Sequence, residues 1–120
     1  MNSKELRIGN LVQCKVTQHE AIIEMIDSQC SVCSLQDGLC DLHLLEPIPL
    51  TKEWLLKLGF EYCQLKTSKR FWLPNFNIRI FNRNSKTKVS YRNITFEHIL
   101  YVHQLQNLYF ALKGEELPIK

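Results

Sequence analysis

Ile78-Arg79-Ile80-Phe81-Asn82-Arg83 and Lys88-Val89-Ser90-Tyr91-Arg92 are two short runs in which apolar residues recur at every second position. Successive side chains of a strand point to opposite faces, so this period is that of a half-buried sheet. Asn84-Ser85-Lys86-Thr87 lies between the runs and reads as a turn, so the stretch is expected to be a β-hairpin. Parity then sorts the side chains. If Ile78, Ile80, Val89 and Tyr91 face a core, Arg79, Phe81 and Arg83 share the other face with Lys88, Ser90 and Arg92. A turn over 84–87 would set Arg83 opposite Lys88 and Arg79 opposite Arg92, and like charges directly opposed destabilise a sheet. Such a face is more readily tolerated where an anion covers it, and the forked guanidinium suits phosphate.

On the N-terminal side, residues 6–48 offer several short apolar runs with no helical period. These are Leu6 to Val16, Ala21 to Ile26, Cys30 to Leu35 and Leu42 to Leu45, with Asp37-Gly38 as a turn. They predict a small antiparallel β-barrel or bent sheet. Pro47 and Pro49 interrupt it. Thr51 is placed to cap a short helix, with Glu53 in its first turn, Trp54, Leu55 and Leu58 on its apolar face, Gly59 as its stop and Phe60 folding back. From Glu61 to Asn93 the period is two. Thr95 as N-cap, the Ile94/Ile99 staple and Glu97 then predict a long helix running through Leu112 to Gly114, with Ile99, Val102, Leu105, Leu108, Tyr109 and Leu112 facing inward. The fold class is α+β, with a barrel-like region over 1–48 and a helix, hairpin and helix region over 49–120, together one compact domain.

The chain of 120 residues, 45% hydrophobic and 22% charged, has an ordinary globular composition. No run approaches the ~20 apolar residues of a membrane helix, and no apolar stretch follows the charges of Met1 to Arg7, so a secretory signal is not expected. Five cysteines, an odd number scattered over strand-like segments, read as reduced cytosolic thiols.

The net charge of +3 conceals an uneven distribution. Residues 62–96 hold Lys66, Lys69, Arg70, Arg79, Arg83, Lys86, Lys88 and Arg92 without one Asp or Glu. The same segment carries Tyr62, Phe71, Trp72, Phe76, Phe81, Tyr91 and Phe96. Cations for phosphates and aromatic faces for bases are the two components of a single-strand nucleic-acid platform. The eight cations with Trp72 and Phe81 are therefore the candidate binding residues. The competing readings are a solvated face whose aromatics fill the core, and a surface for an acidic protein.

Cys30, Cys33, Cys40 and His43, spaced C-x2-C-x6-C-x2-H, could hold zinc through three thiolates and an imidazole. Ser31, Val32, Ser34 and Leu35 look instead like an alternating strand carrying buried thiols, and no metal or other cofactor is expected. Catalytic signatures are missing: no glycine-rich phosphate loop, no G-x-S-x-G elbow and no H-E-x-x-H. His98 and His103, five residues apart on the expected helix, would lie on different faces. His103 reads as structural and His19-Glu20 as a turn. The chain is expected to be a binding protein and not an enzyme, without a small-molecule substrate or a membrane partner.

Three stretches resemble a known group: Glu5-Leu6-Arg7-Ile8-Gly9-Asn10-Leu11-Val12, Ile48-Pro49-Leu50-Thr51-Lys52-Glu53-Trp54-Leu55-Leu56-Lys57-Leu58-Gly59-Phe60, and Tyr101-Val102-His103-Gln104-Leu105-Gln106-Asn107-Leu108-Tyr109-Phe110-Ala111-Leu112 with Gly114-Glu115-Glu116-Leu117. Their wording is similar to that of small proteins encoded by phages, prophages and mobile elements of Bacteroidota. The resemblance spans both ends and the middle but not Cys30 to His43 or Leu65 to Arg92. It implies a cytoplasmic accessory protein of a mobile element, in a group with no agreed activity. Small prophage proteins are a common source of host-defence inhibitors, anti-CRISPR proteins among them, and type VI-B systems with an RNA-guided ribonuclease are frequent in these bacteria. The function this implies is inhibition of such a nuclease through guide RNA or the nuclease itself. The alternative is a general single-stranded nucleic-acid-binding accessory protein.

Overall fold

The computed structural model describes residues 6–15, 20–23, 32–35, 38–41, 44–74, 76–83 and 86–119. The architecture is α+β. The chain divides into two compact units, Met1–Pro49 with Tyr101–Glu116, and Leu50–Leu100 with Leu117–Lys120. This division differs from the expected boundary between 1–48 and 49–120, because the C-terminal helix groups with the N-terminal strands and not with the hairpin.

The second unit is built on a meander. Strands β6 (Glu61–Gln64), β7 (Ser68–Trp72), β8 (Ile78–Arg83), β9 (Lys86–Tyr91) and β10 (Ile94–Phe96) form an antiparallel sheet in the order β10-β9-β8-β7-β6. The hairpin is present, but its register corrects the expected one. Arg83 pairs with Lys86, Phe81 with Lys88 and Arg79 with Ser90, so only residues 84 and 85 separate the strands, and Asn84 and Ser85 lie outside the described residues. The shift is by two positions, so the assignment of faces survives. The row Tyr62, Phe71, Ile80, Val89 and Phe96 crosses the sheet on one face, and Ile78, Tyr91 and Ile94 share that face. Phe71, Ile78, Ile80 and Val89 are buried there.

Two further corrections follow from Arg92 and Asn93, whose φ values of 49° and 72° are both left-handed. Paired left-handed residues make the tight turn whose twist matches adjoining antiparallel strands. The chain therefore reverses, and Ile94-Thr95-Phe96 pairs with β9 as a third strand. Thr95 is a strand residue and no helix cap, and Ile94 stays exposed instead of stapling to Ile99. The helix is capped six residues later, at Tyr101.

In the same unit, helix α1 (Lys52–Lys57) forms as anticipated. Thr51 Oγ1 accepts from the Trp54 N–H at 3.3 Å, Glu53 sits in the first turn, and Gly59 has φ 91°. The Phe60 N–H returns to the Leu55 carbonyl at 3.0 Å, and Leu55, Leu58 and Phe60 are buried.

In the first unit, β2 (Glu20–Ile22), β1 (Leu11–Cys14) and β5 (Leu45–Glu46) form a three-stranded antiparallel sheet, and β3 (Val32–Leu35) pairs with β4 (Gly38–Asp41) as a hairpin. The described residues show open sheets and no closed barrel. Of the strand expected over Leu42 to Leu45, Leu45 lies in β5, whereas Leu42 and His43 are outside the described residues. Helix α2 (Val102–Lys113) starts at Tyr101, whose N–H donates to Gln104 Oε1 at 3.2 Å, and ends at Gly114 with φ 77°. Its buried residues are Val102, His103, Leu105, Gln106 and Tyr109, whereas Leu112 is exposed. Two polar side chains thus replace part of the expected apolar stripe.

Those polar positions hold the unit together. Gln106 Oε1 accepts from the Leu11 N–H at 2.8 Å, and its amide donates to the Gly9 carbonyl at 3.3 Å. Asn10, fully buried, accepts from the Arg7 N–H at 2.7 Å and donates to Asn107 Oδ1 at 2.8 Å. The Arg7 guanidinium reaches Asn107 Oδ1 at 3.1 Å, pairs with Glu116 and lies 4.2 Å over the Phe110 ring. Gly9, at φ 98°, is where the chain turns beneath Glu116; a Cβ there would meet that carboxylate at 3.1–3.3 Å. The Arg7–Leu11 turn and the stretch from Gln106 to Glu116 are therefore the two sides of this clamp.

A candidate nucleic-acid interface

The other face of the five-stranded sheet carries the chemistry. By register, one row contains Glu61, Trp72, Arg79, Ser90 and Thr95; the next contains Cys63, Arg70, Phe81 and Lys88; the last contains Ser68, Arg83 and Lys86. Five cations from three adjacent strands thus share a face with two aromatic rings. Arg70, Arg79, Arg83, Lys86 and Lys88 are all exposed. Among the described residues the only ion pair is Arg7–Glu116, in the other unit, so none of these cations is neutralised by a described acid. Arg70 lies over the Phe81 ring at 5.4 Å, a cation–π contact that holds the guanidinium along the sheet. Phe81 and Trp72 are half-buried, leaving part of each ring in contact with solvent.

The structure brings seven of the ten candidate residues onto this face: Arg70, Trp72, Arg79, Phe81, Arg83, Lys86 and Lys88. Arg92 stands beside it in the β9–β10 turn, with its guanidinium 5.3 Å from the Tyr91 ring. Lys66 lies in the β6–β7 connection. Lys69 is a correction: it pairs with Gln64 and Asn82 and so belongs to the opposite face, because strand parity separates it from Arg70. The opposed pairs are also different ones. Arg83 faces Lys86, whereas Arg79 faces Ser90 and Trp72 and opposes no cation.

Two grooves run along the face, with Arg79 and Phe81 of β8 on the lining of both. One, of about 650 Å³, lies toward β7 and β6 and is walled by Trp72, Leu73, Pro74, Phe76 and Phe81 with Arg70. The other, of about 530 Å³, lies toward β9 and β10 and is walled by Asn77, Lys88, Ser90, Arg92, Asn93 and Thr95. Sequence reasoning did not anticipate Leu73, Pro74, Asn77 or Thr95, which reach the site only because β7 and β10 flank the hairpin.

Of the zinc candidates, Cys33 and Cys40 are register partners in the β3–β4 hairpin, while Cys30 and His43 lie outside the described residues. The described residues contain no cluster of metal-ligating side chains. His98 is exposed, with its ring 6.1 Å from that of Phe96; His103 is buried on α2 and stacks with Tyr101 at 6.0 Å. His19 also lies outside the described residues, and Glu20 belongs to β2. No helix among the described residues is long and apolar enough to cross a membrane.

No protein-family model, no curated protein and no solved structure matches the chain.

Proposed function

We propose that this chain is a non-enzymatic binding protein that engages single-stranded RNA, or a ribonucleoprotein presenting it, through the outer face of its five-stranded sheet. The observation that carries the reading is the set of five cations on adjacent strands around Phe81 and Trp72, with no described acid paired to any of them. A backbone of phosphates meets the cations and each base offers a π-face to the rings, so recognition would be tolerant of sequence. Together with the resemblance to phage and prophage proteins, the reading becomes an inhibitor of host defence that acts on an RNA-guided ribonuclease at its guide RNA or RNA channel.

The test is a titration of fluorescently labelled single-stranded RNA and its duplex at several salt concentrations. Single strands are expected to bind more tightly, with log affinity falling linearly against log salt at a slope of about −0.7 per neutralised phosphate. Equal binding to the duplex, or none to either, contradicts the reading. Added to an RNA-guided ribonuclease of type VI-B, the protein should suppress target cleavage. RNA binding without suppression favours the general accessory role.

A further inference from the structure

The two grooves differ in chemistry, and the difference assigns parts of a ligand to each. The groove toward β7 is walled by Trp72, Leu73, Pro74 and Phe76 together with Arg70, and it shares Asn77, Arg79 and Phe81 with its neighbour. The groove toward β10 has Phe81 as its sole aromatic wall; Arg79, Lys88 and Arg92 stand there among Asn77, Ser90 and Thr95. A flat apolar slot suits a base, and cations among short polar donors suit a phosphate. Neighbouring strands lie about 4.8 Å apart, so β7 and β9 are separated by about 10 Å across β8. That is the scale of one nucleotide, from base to phosphate.

Resting on the RNA-binding reading, we infer that the sheet face holds a single strand of RNA laid across β8, with a base in the Trp72 groove and the adjoining phosphate in the Arg79–Lys88–Arg92 groove. The strand crosses the β-strands instead of following them. Arg79 and Phe81, on the ridge between the grooves, contact both moieties.

The experiment compares two labelled probes of equal length, an oligouridylate and its abasic ribose-phosphate counterpart, against three proteins. Trp72→Leu keeps apolar bulk and removes the large π-face; circular dichroism checks its fold, and Phe76→Leu, in a ring that walls the same groove and not the other, serves if it does not fold. Lys88→Gln with Arg92→Gln removes charge from the second groove alone. The parent should bind oligouridylate at least ten-fold more tightly than the abasic probe. The Trp72 variant should lose that preference while holding the abasic probe within two-fold, and the Lys88/Arg92 variant should weaken on both probes and show a shallower salt slope. If the parent binds RNA but Trp72→Leu weakens both probes equally or neither, the division into base and phosphate grooves is wrong and the RNA-binding reading stands. If the parent binds neither probe, both are overturned.

Discussion

The two units treat their polar residues in opposite ways. In the unit of β1 and α2, Arg7, Asn10, Gln106, Asn107 and Glu116 are joined to one another or to backbone groups of the Arg7–Leu11 turn. In the unit of β6–β10, Arg79, Arg83, Lys86 and Lys88 stand exposed on one face with no described acid paired to them. A buried hydrogen bond that loses one partner costs the desolvation of the group left behind, so polar groups of the first kind serve the fold. Exposed cations of the second kind contribute little to it. The comparison separates residues that hold the protein together from exposed charges that the fold does not use.

Substitutions can break that separation, and the largest effect lies in neither set. Ile80→Ala, under the basic face, should lower unfolding free energy by about 2–5 kcal/mol in a denaturant titration, since it opens a cavity in the sheet core. A loss well under that range would mean the sheet's inner face is loosely packed. Gln106→Ala leaves the Leu11 N–H without its acceptor and should cost about 1–3 kcal/mol; an unchanged denaturation midpoint would remove the clamp from the account. Gly9→Ala forces a Cβ onto a left-handed residue against the Glu116 carboxylate and should cost about 1–3 kcal/mol. Smallest of all, prolonged dialysis against a metal chelator should leave the circular dichroism and Tm unchanged, because a chain of this size can bury a sufficient core without a metal staple. Loss of structure together with one equivalent of zinc would move attention to Cys30, Cys33, Cys40 and His43.

The parts of the fold that the sequence revealed are those governed by parity and local chemistry. The inward set Ile78, Ile80, Val89 and Tyr91 survives a two-residue change of register because faces alternate with period two. Thr51 and Gly59 were readable because each acts on groups only a few residues away. The register was not readable, because turn length decides it and Asn-Ser-Lys-Thr allows a four-residue or a two-residue loop. Thr95 misled for a related reason. Its cap signature is local, while the left-handed pair Arg92-Asn93 and pairing to β9 decide the matter; Asn93, a residue that tolerates positive φ, was the available signal. Gln106 and Asn10 look like surface residues until α2 meets the Arg7–Leu11 turn, so only tertiary structure reveals the clamp. Of the site, the basic and aromatic composition was visible beforehand. The removal of Lys69 to the other face and the second wall of each groove were not, since both depend on β6–β7 and β9–β10 pairing.

The central claim is that the exposed cations of β8 and β9 serve a partner and not the fold. Its most direct test is a paired measurement on the Arg79→Gln, Arg83→Gln, Lys88→Gln triple variant, reading thermal stability and affinity for single-stranded RNA on the same preparation. Stability should stay within about 0.5 kcal/mol of the parent, as for surface changes away from packed or buried features. Affinity should fall at least ten-fold, with a salt slope shallower by about 2 for three lost phosphate contacts on a single strand. An affinity equal to the parent's would show the face to be merely solvated, and a large loss of stability would show that these cations belong to the fold.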